Sequence, residues 1–160
     1  MQVTRLLPED AAAVQSIASA TAMTVDVQAE LARSFSLFWV ARESADRMPE
    51  AFLLAWAVAD ELHLIHIATH PDSRRKGAAR SLLDALLHHA MHNKTRLVLL
   101  EVRRSNRAAI RLYRSVGFCK IGVRRAYYSD SEDAIEMMIG LDPVTGRVQP
   151  GHDEVGAYDS

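Results

Sequence analysis

The spacing of apolar residues changes repeatedly along the chain between the period of a helix and that of a strand. In the first half, this pattern predicts an opening strand over Gln2–Leu7, helices over Glu9–Ala20 and Val27–Phe35, and strands over Ser36–Arg42, Ala51–Val58 and Leu62–Thr69. The clearest helix is predicted from Gly77 to His92, because its leucines recur on one helical face.

The second half continues with strands separated by one further helix. A strand is predicted over Arg96–Arg103, a helix capped by Asn106 and stopped by Gly117, and strands over Phe118–Ala126 and Ala134–Leu141. The strand, turn, helix and strand around Gly77 form a βαβ unit with two parallel strands. The predicted fold class is therefore α/β (α+β), a mixed and mostly antiparallel twisted sheet with a central parallel βαβ unit.

One domain is expected over residues 1–142, since a chain of 160 residues fits one domain of ordinary size and apolar periodicity recurs up to that point. From Pro143 onward, glycine, proline and acidic residues replace it, so residues 143–160 are predicted to be a C-terminal tail in a loop or flexible conformation.

The turn Arg74–Arg80 separates an apolar strand from an apolar helix and carries four basic residues around Gly77. A glycine there lets the backbone turn tightly, so that N–H groups at the open helix end point at one anion. The turn is predicted to be an anion cradle, meaning a phosphate site made largely of backbone. A solvated basic face is the alternative.

Composition restricts the classes of partner. A net charge of −1 gives no global attraction to nucleic acid or to an anionic membrane, and the basic residues concentrate in one turn. No signal peptide and no apolar run of membrane-spanning length is read. The single Cys119 is compatible with a cytoplasmic protein without disulfides, and it is expected to pack instead of forming a covalent intermediate.

Two residues are candidates for acid–base chemistry. Glu101 interrupts an apolar strand, where burial would raise the pKa of a carboxylate towards that of a general base. A structural ion pair with Arg103 or Arg104, or a side chain that faces solvent, explains the same residue. Tyr113, within a largely apolar helix, is either a proton donor or a core aromatic residue.

Three histidines on or beside one strand, His63, His66 and His70, suggest a metal site only weakly, because they have no acidic or Cys partners at useful spacing. No metal is therefore predicted, and His66 remains an alternative base. Tyr127 and Tyr128 lie in a polar loop that either gates a substrate groove or covers a sheet edge.

Several segments, in this order, resemble the GNAT acetyltransferases. They are the cradle, Leu100–Arg103, Ser105–Asn106, Leu112–Phe118 and Arg124–Tyr128. Within that family the chain is most similar to the bacterial ribosomal-protein-alanine N-acetyltransferases of the RimI type, from about Leu62 to Leu141. The cradle marks only the superfamily, whereas the later segments in this order are more specific.

The resemblance implies acetyl-CoA as co-substrate, with its pyrophosphate on backbone amides from Arg75 to Arg80. The residues in that stretch are Arg75, Lys76, Gly77, Ala78, Ala79 and Arg80. The pantetheine arm would lie along Ile67, Ala68 and Thr69, whose N–H groups could stabilise the oxyanion, and Asn106 would contact it. Glu101 matches the family's proton acceptor and Tyr113 its proton donor.

The implied acceptor is the α-amine of a protein N-terminus, with a small-subunit ribosomal protein as the default. Lysine or small-molecule amine acetylation and a non-catalytic acyl-CoA-binding module remain alternatives. The chain departs from the family pattern at Ala79, where glycine is common, and it lacks the proline–tryptophan signature in the region Ala22–Phe35. The identity of the acceptor and the oligomeric state therefore stay open.

Overall fold

The computed structural model describes residues 1–154, which form two compact units. Residues 1–58 and 64–88 make the first unit, and residues 59–63 together with those from 89 onward make the second. No helix within the described residues is both long enough and apolar enough to cross a membrane.

The first unit combines antiparallel strands with helices that cover a buried core. Its elements are β1 (Gln2–Arg5), α1 (Ala11–Ala20), α2 (Val27–Ala32), β2 (Ser36–Arg42), β3 (Ala51–Val58), most of β4 (Glu61–Thr69) and most of α3 (Ala78–His92). Strands β1, β2 and β3 pair antiparallel, and β4 follows β3 in the sheet. One core cluster joins apolar residues from α1, β2, β3 and β4, among them Val14, Phe38, Phe52 and Ala68.

The second unit contains the parallel strand pair. Its further elements are β5 (Leu97–Arg103), α4 (Arg107–Ser115), β6 (Cys119–Arg124), β7 (Ala134–Leu141) and β8 (Val148–Gln149). The first residues of β4, Glu61–His63, run parallel to Leu97–Leu99 of β5. Strand β7 then pairs antiparallel with β5, β6 and β8. The predicted mixed sheet, mostly antiparallel with one parallel pair, is confirmed.

Most predicted boundaries agree with the structure to within one or two residues, and the bounds of β2, β3 and β7 agree fully. The second helix was predicted too long, since it ends at Ala32 instead of Phe35. Arg33 is extended, and its guanidinium bonds back to the Glu30 carboxylate, which also accepts the hydroxyl of Ser36. These local bonds compete with helix continuation.

Two other predicted elements begin or end differently. The first helix starts at Ala11, after a 3-10 turn at Pro8–Asp10. Strand β6 stops at Arg124 instead of Ala126, because Ala126 has a left-handed φ of 52° that no strand accommodates.

Part of the predicted tail has a defined conformation. Val148 and Gln149 form strand β8 on β7, and the Asp153 carboxylate accepts the backbone N–H of Lys120 and a bond from the Arg114 guanidinium. Residues 155–160 lie outside the described residues.

Candidate active site

The turn after β4 has the backbone shape expected of an anion cradle. Arg75 and Gly77 both take left-handed φ angles, of 65° and 81°. Glycine meets this requirement without steric cost, whereas arginine does not. The N–H of Ser81 donates to the Gly77 carbonyl at 3.0 Å, so α3 opens directly behind the turn. The amides of Ala78, Ala79 and Arg80 are then the open N–H groups of the first helical turn.

Ala79 lies inside α3, where a residue with a side chain fits the backbone without strain. The departure from glycine at this position therefore leaves the cradle conformation intact.

The basic side chains of the turn differ in how strongly they are paired. The Lys76 ammonium donates to Glu43 at 2.8 Å and lies 3.5 Å from Glu50, and its hydrogen bond to Glu43 raises the pKa of Lys76. Arg80 lies 3.2 Å from Asp84, one helical turn on. Lys76 and Arg80 thus have carboxylate partners of their own, whereas Arg74 and Arg75 are exposed beside the open backbone amides.

The strand that leads into the cradle ends in residues of intermediate burial. Ala68 is buried, while Ile67 and Thr69 on either side are partly exposed. The imidazole of His70 accepts the N–H of Asp72, which fixes the 3-10 turn at Pro71–Ser73 before the cradle.

The histidines of this region have separate environments. His63 lies 2.9 Å from Glu61, and burial lowers the pKa of His66 while the charge of Glu30 opposes the shift. Among residues 1–154, no three His, Cys, Asp or Glu side chains converge to hold a metal ion.

Glu101 lies on the exposed face of β5, because Val98, Leu100 and Val102 alternate with it into the core. Its side chain is 36% exposed, so the expectation of a buried carboxylate is wrong. In place of the ion pairs considered for Glu101, the contacts observed are those of Arg103 with Asp130 and Glu132 and that of Arg104 with Asp133. Its cationic neighbour is Arg124, at 4.0 Å.

Helix α4 carries the other two candidate residues of the second unit. The Asn106 side chain accepts the N–H of Ala109 at 3.2 Å, which confirms its role as the helix cap. Tyr113 is buried, its ring packs edge-on against Phe118, and burial raises its pKa. The phenol therefore stays protonated at neutral pH, and burial makes it a weaker acid than a solvent-exposed tyrosine.

The tyrosine loop, residues 125–133, is fixed by a dense set of side-chain contacts. The Arg103 guanidinium lies 4.1 Å from the Tyr128 ring centroid, and Tyr127 packs edge-on against Tyr128. Hydrogen bonds from Ser105 and Arg103 lower the pKa of Glu132 to about 2.

Two polar clusters were not foreseen from the sequence. Glu136 on β7 lies directly opposite Glu101, and it accepts a 2.7 Å hydrogen bond from Arg124. In the first unit, the buried Glu30 carboxylate accepts bonds from Arg33, Ser36 and the Trp56 indole. Strand alternation could have placed Glu136 on the face opposite Ile135, but only the register pairs it with Glu101.

Comparison with known proteins gives the fold and the site their context. The family model described as "Acetyltransferase (GNAT) family" matches residues 6–118. The chain is 41% identical over 101 residues to the "[Ribosomal protein bS18]-alanine N-acetyltransferase" of Salmonella typhimurium, covering 61% of this chain and 68% of that protein. For the Escherichia coli (strain K12) enzyme of the same name, the 42% identical region covers 57% and 64%.

Solved structures have the same fold as this chain. The ribosomal-protein-S18-alanine N-acetyltransferase from Escherichia coli superimposes with a TM-score of 0.76 at 33% identity, covering 86% of this chain and 91% of that one. Ard1 from Thermoplasma volcanium gives a TM-score of 0.74 at 26% identity, covering 94% and 98%. The family model spans more than half of the chain, and the mixed sheet with one parallel pair matches the GNAT fold. The chain therefore belongs to the GNAT acetyltransferase family.

Proposed function

We propose that this chain is an acetyl-CoA-dependent N-acetyltransferase that acts on the N-terminal α-amine of a protein, with a small-subunit ribosomal protein as acceptor. The observation that carries this proposal is the 41% identity to an enzyme named for alanine acetylation of ribosomal protein bS18. Family membership supports the reaction type, and the similarity to that relative supports the acceptor. A ribosomal acceptor implies that the reaction takes place in the cytoplasm.

The open amides of the cradle are suited to bind the pyrophosphate of acetyl-CoA. Backbone N–H groups at a helix N-terminus bind phosphate through hydrogen bonds and the helix dipole. The turn offers them from Arg75 to Arg80, with left-handed φ angles at Arg75 and Gly77. The proposal assigns the pantetheine arm to Ile67, Ala68 and Thr69, and one further contact to Asn106.

Glu101 is the proposed proton acceptor. An N-terminal amine has a pKa of about 8, so most of it is protonated at neutral pH and cannot attack. The exposed Glu101 carboxylate can take that proton directly or through water. The free amine then attacks the thioester carbon, and the carbonyl oxygen becomes an oxyanion for which the N–H groups of Ile67 to Thr69 are the proposed donors.

Tyr113 is the proposed proton donor. When the tetrahedral intermediate collapses, the carbon–sulfur bond breaks and its electron pair leaves with the CoA sulfur. The Tyr113 phenol, which is protonated at neutral pH, supplies a proton to that thiolate. The nitrogen of the intermediate gives up its second proton to solvent, and solvent returns a proton to the Tyr113 phenolate. The products are an acetylated N-terminus and CoA with a free thiol.

The proposal is tested by steady-state acetyl transfer to peptides that carry the N-termini of small-subunit ribosomal proteins. Transfer is expected to an unblocked N-terminal alanine and not to the same peptide with a blocked N-terminus. Transfer to blocked peptides would indicate lysine acetylation. Tight acetyl-CoA binding without transfer to any amine would indicate a binding module.

Glu101→Gln tests the base within the same assay. The variant keeps the shape of the side chain but cannot accept the proton, so kcat should fall by about 10²-fold or more while acetyl-CoA still binds. Undiminished turnover would remove Glu101 from this role. Mass spectrometry of protein N-termini from cells with and without the protein would then identify the acceptor.

A further inference from the structure

The face of the sheet around Glu101 carries a row of residues from three strands. Glu101 on β5 pairs with Glu136 on β7, and Glu136 pairs with Gly122 on β6. Directly paired residues project on the same face, with Cβ atoms about 5 Å apart. We name Glu101, Glu136 and Gly122 the carboxylate row.

Two carboxylates placed directly opposite each other repel, so the row requires a nearby cation. Arg124 meets this requirement, because it follows Gly122 by two residues and lies on the same face of β6. Its Nε donates to Glu136 at 2.7 Å and lies 4.0 Å from the nearest oxygen of Glu101. Glu136, followed by Glu101, raises the pKa of Arg124.

Arg124 contacts Glu136 more closely than it contacts Glu101. The bond to Glu136 has the length of a charge-assisted hydrogen bond, whereas the contact with Glu101 is an ion pair at the limit of its range. Among the described residues, Glu101 accepts no hydrogen bond from another side chain. Glu136 therefore anchors the guanidinium, and the Glu101 carboxylate stays open to an incoming amine.

Other neighbours keep this arrangement in place and leave it accessible. The Arg124 guanidinium lies 5.7 Å from the Tyr127 ring centroid, and Tyr127 packs on Tyr128. At Gly122 a methyl group would lie 3.5 Å from a Glu136 oxygen, so the glycine leaves that carboxylate uncovered.

We infer that Arg124, anchored by Glu136, is a positioning residue that orients Glu101 for proton transfer in the acetylation reaction. The inference rests on the proposed function of Glu101 as the base. The guanidinium attracts the carboxylate without taking its hydrogen-bonding positions, so Glu101 is held towards β6 while its oxygens remain available to the acceptor amine.

Arg124→Ala is expected to lower kcat for acceptor peptides about two- to fivefold, the range that corresponds to the loss of one partly exposed ion pair. The KM for acetyl-CoA should not change. Arg125→Ala is the matched control, because the neighbouring Arg125 is 84% exposed and lies 4.0 Å from Asp133 instead of Glu101. It removes the same charge and should leave kcat unchanged.

Two forms of rescue separate positioning from a structural role. Arg124→Lys should recover part of the lost kcat, and millimolar guanidinium should recover part of it in Arg124→Ala but not alter Arg125→Ala. Glu136→Gln, which weakens the anchor, should give a smaller loss than Arg124→Ala. A kcat loss that neither lysine nor guanidinium restores would overturn the inference.

A double-mutant cycle shows whether the effect runs through Glu101. In the Glu101→Gln background, measured by single-turnover transfer at high enzyme concentration, Arg124→Ala should cause no further loss of rate. An equal loss in both backgrounds, or no loss in either, would overturn the inference. Full activity of Glu101→Gln is a different result, because it rejects Glu101 as the proposed base. If Arg124→Ala still lowered the rate in that case, the positioning role would be rejected as well.

Discussion

The anion cradle and the carboxylate row, to which we assign cofactor binding and proton transfer, are built from different parts of the polypeptide. The cradle, residues 74–80, presents backbone N–H groups, while Lys76 and Arg80 are paired with acidic residues of their own. The row and the tyrosine loop instead depend on side chains, with Arg124 and Arg103 each contacting two carboxylates and a tyrosine ring.

This difference predicts which substitutions each region tolerates. A site made of backbone depends on φ angles and is indifferent to most side chains, so substitutions act there through strain. A site made of side chains loses a specific chemical group with each substitution. Variants of the two regions should therefore separate into effects on acetyl-CoA affinity and effects on turnover.

The largest effect is expected from Tyr113→Phe. The variant keeps the aromatic ring against Phe118 but removes the phenol that is the proposed proton donor to the thiolate, so kcat should fall about 10²-fold. The acetyl-CoA dissociation constant and the urea midpoint, measured on the same sample, should stay unchanged. A variant with full turnover would show that the thiolate leaves unprotonated or takes its proton from another donor.

Glu30→Ala tests whether the stability of the first unit also depends on a cluster of polar side chains. Its carboxylate is buried and accepts bonds from Trp56, Ser36 and Arg33, so its removal leaves donors without an acceptor. The free energy of unfolding in urea should fall by about 2 kcal/mol. Glu30→Gln, which retains acceptor capacity, should lose less. Equal losses for both variants would show that charge, not hydrogen bonding, is what matters there.

Gly77→Ala tests the dependence of the cradle on its backbone. A methyl group at Gly77 would meet open space, so only the left-handed φ opposes the change, at a cost of roughly 1 kcal/mol. The acetyl-CoA dissociation constant should rise about fivefold, with kcat at saturation unchanged. Gly140→Ala is the control, because Gly140 lies in β7 without a left-handed φ. A lower kcat with normal affinity would contradict the assignment.

The smallest effect is expected from the pH dependence of stability at Glu132. Its folded pKa of about 2 lies below the ordinary 4.5, so its bonds to Ser105 and Arg103 stabilise the protein above pH 4.5. This contribution is lost as the pH falls towards 2, because protonation is then favoured in the unfolded chain. Glu132→Gln should flatten the fall of the urea midpoint over this window, whereas Glu9→Gln, an exposed control, should not.

Much of the fold was predictable because local rules decide it. Leu82, Leu83, Leu86 and Leu87 mark α3 by periodicity, and all four are buried. Asn106 could be predicted as a cap from its side chain, and its Oδ1 accepts the N–H of Ala109 as a cap requires. The end of α2 was predicted wrongly because it depends on the side-chain bonds that Glu30 forms with Arg33 and Ser36. Helix propensity does not include such bonds.

By itself, the sequence determined the order of strands and helices, the parallel βαβ unit and the glycine turn before α3. Backbone preferences and apolar periodicity act over a few residues, so they can be read directly from neighbouring positions. Only the tertiary structure decided that Glu101 faces solvent, that Glu136 lies opposite it and that Arg124 serves both. Strand register brings together residues more than thirty positions apart in the chain, between Glu101 and Glu136, and no local rule specifies it.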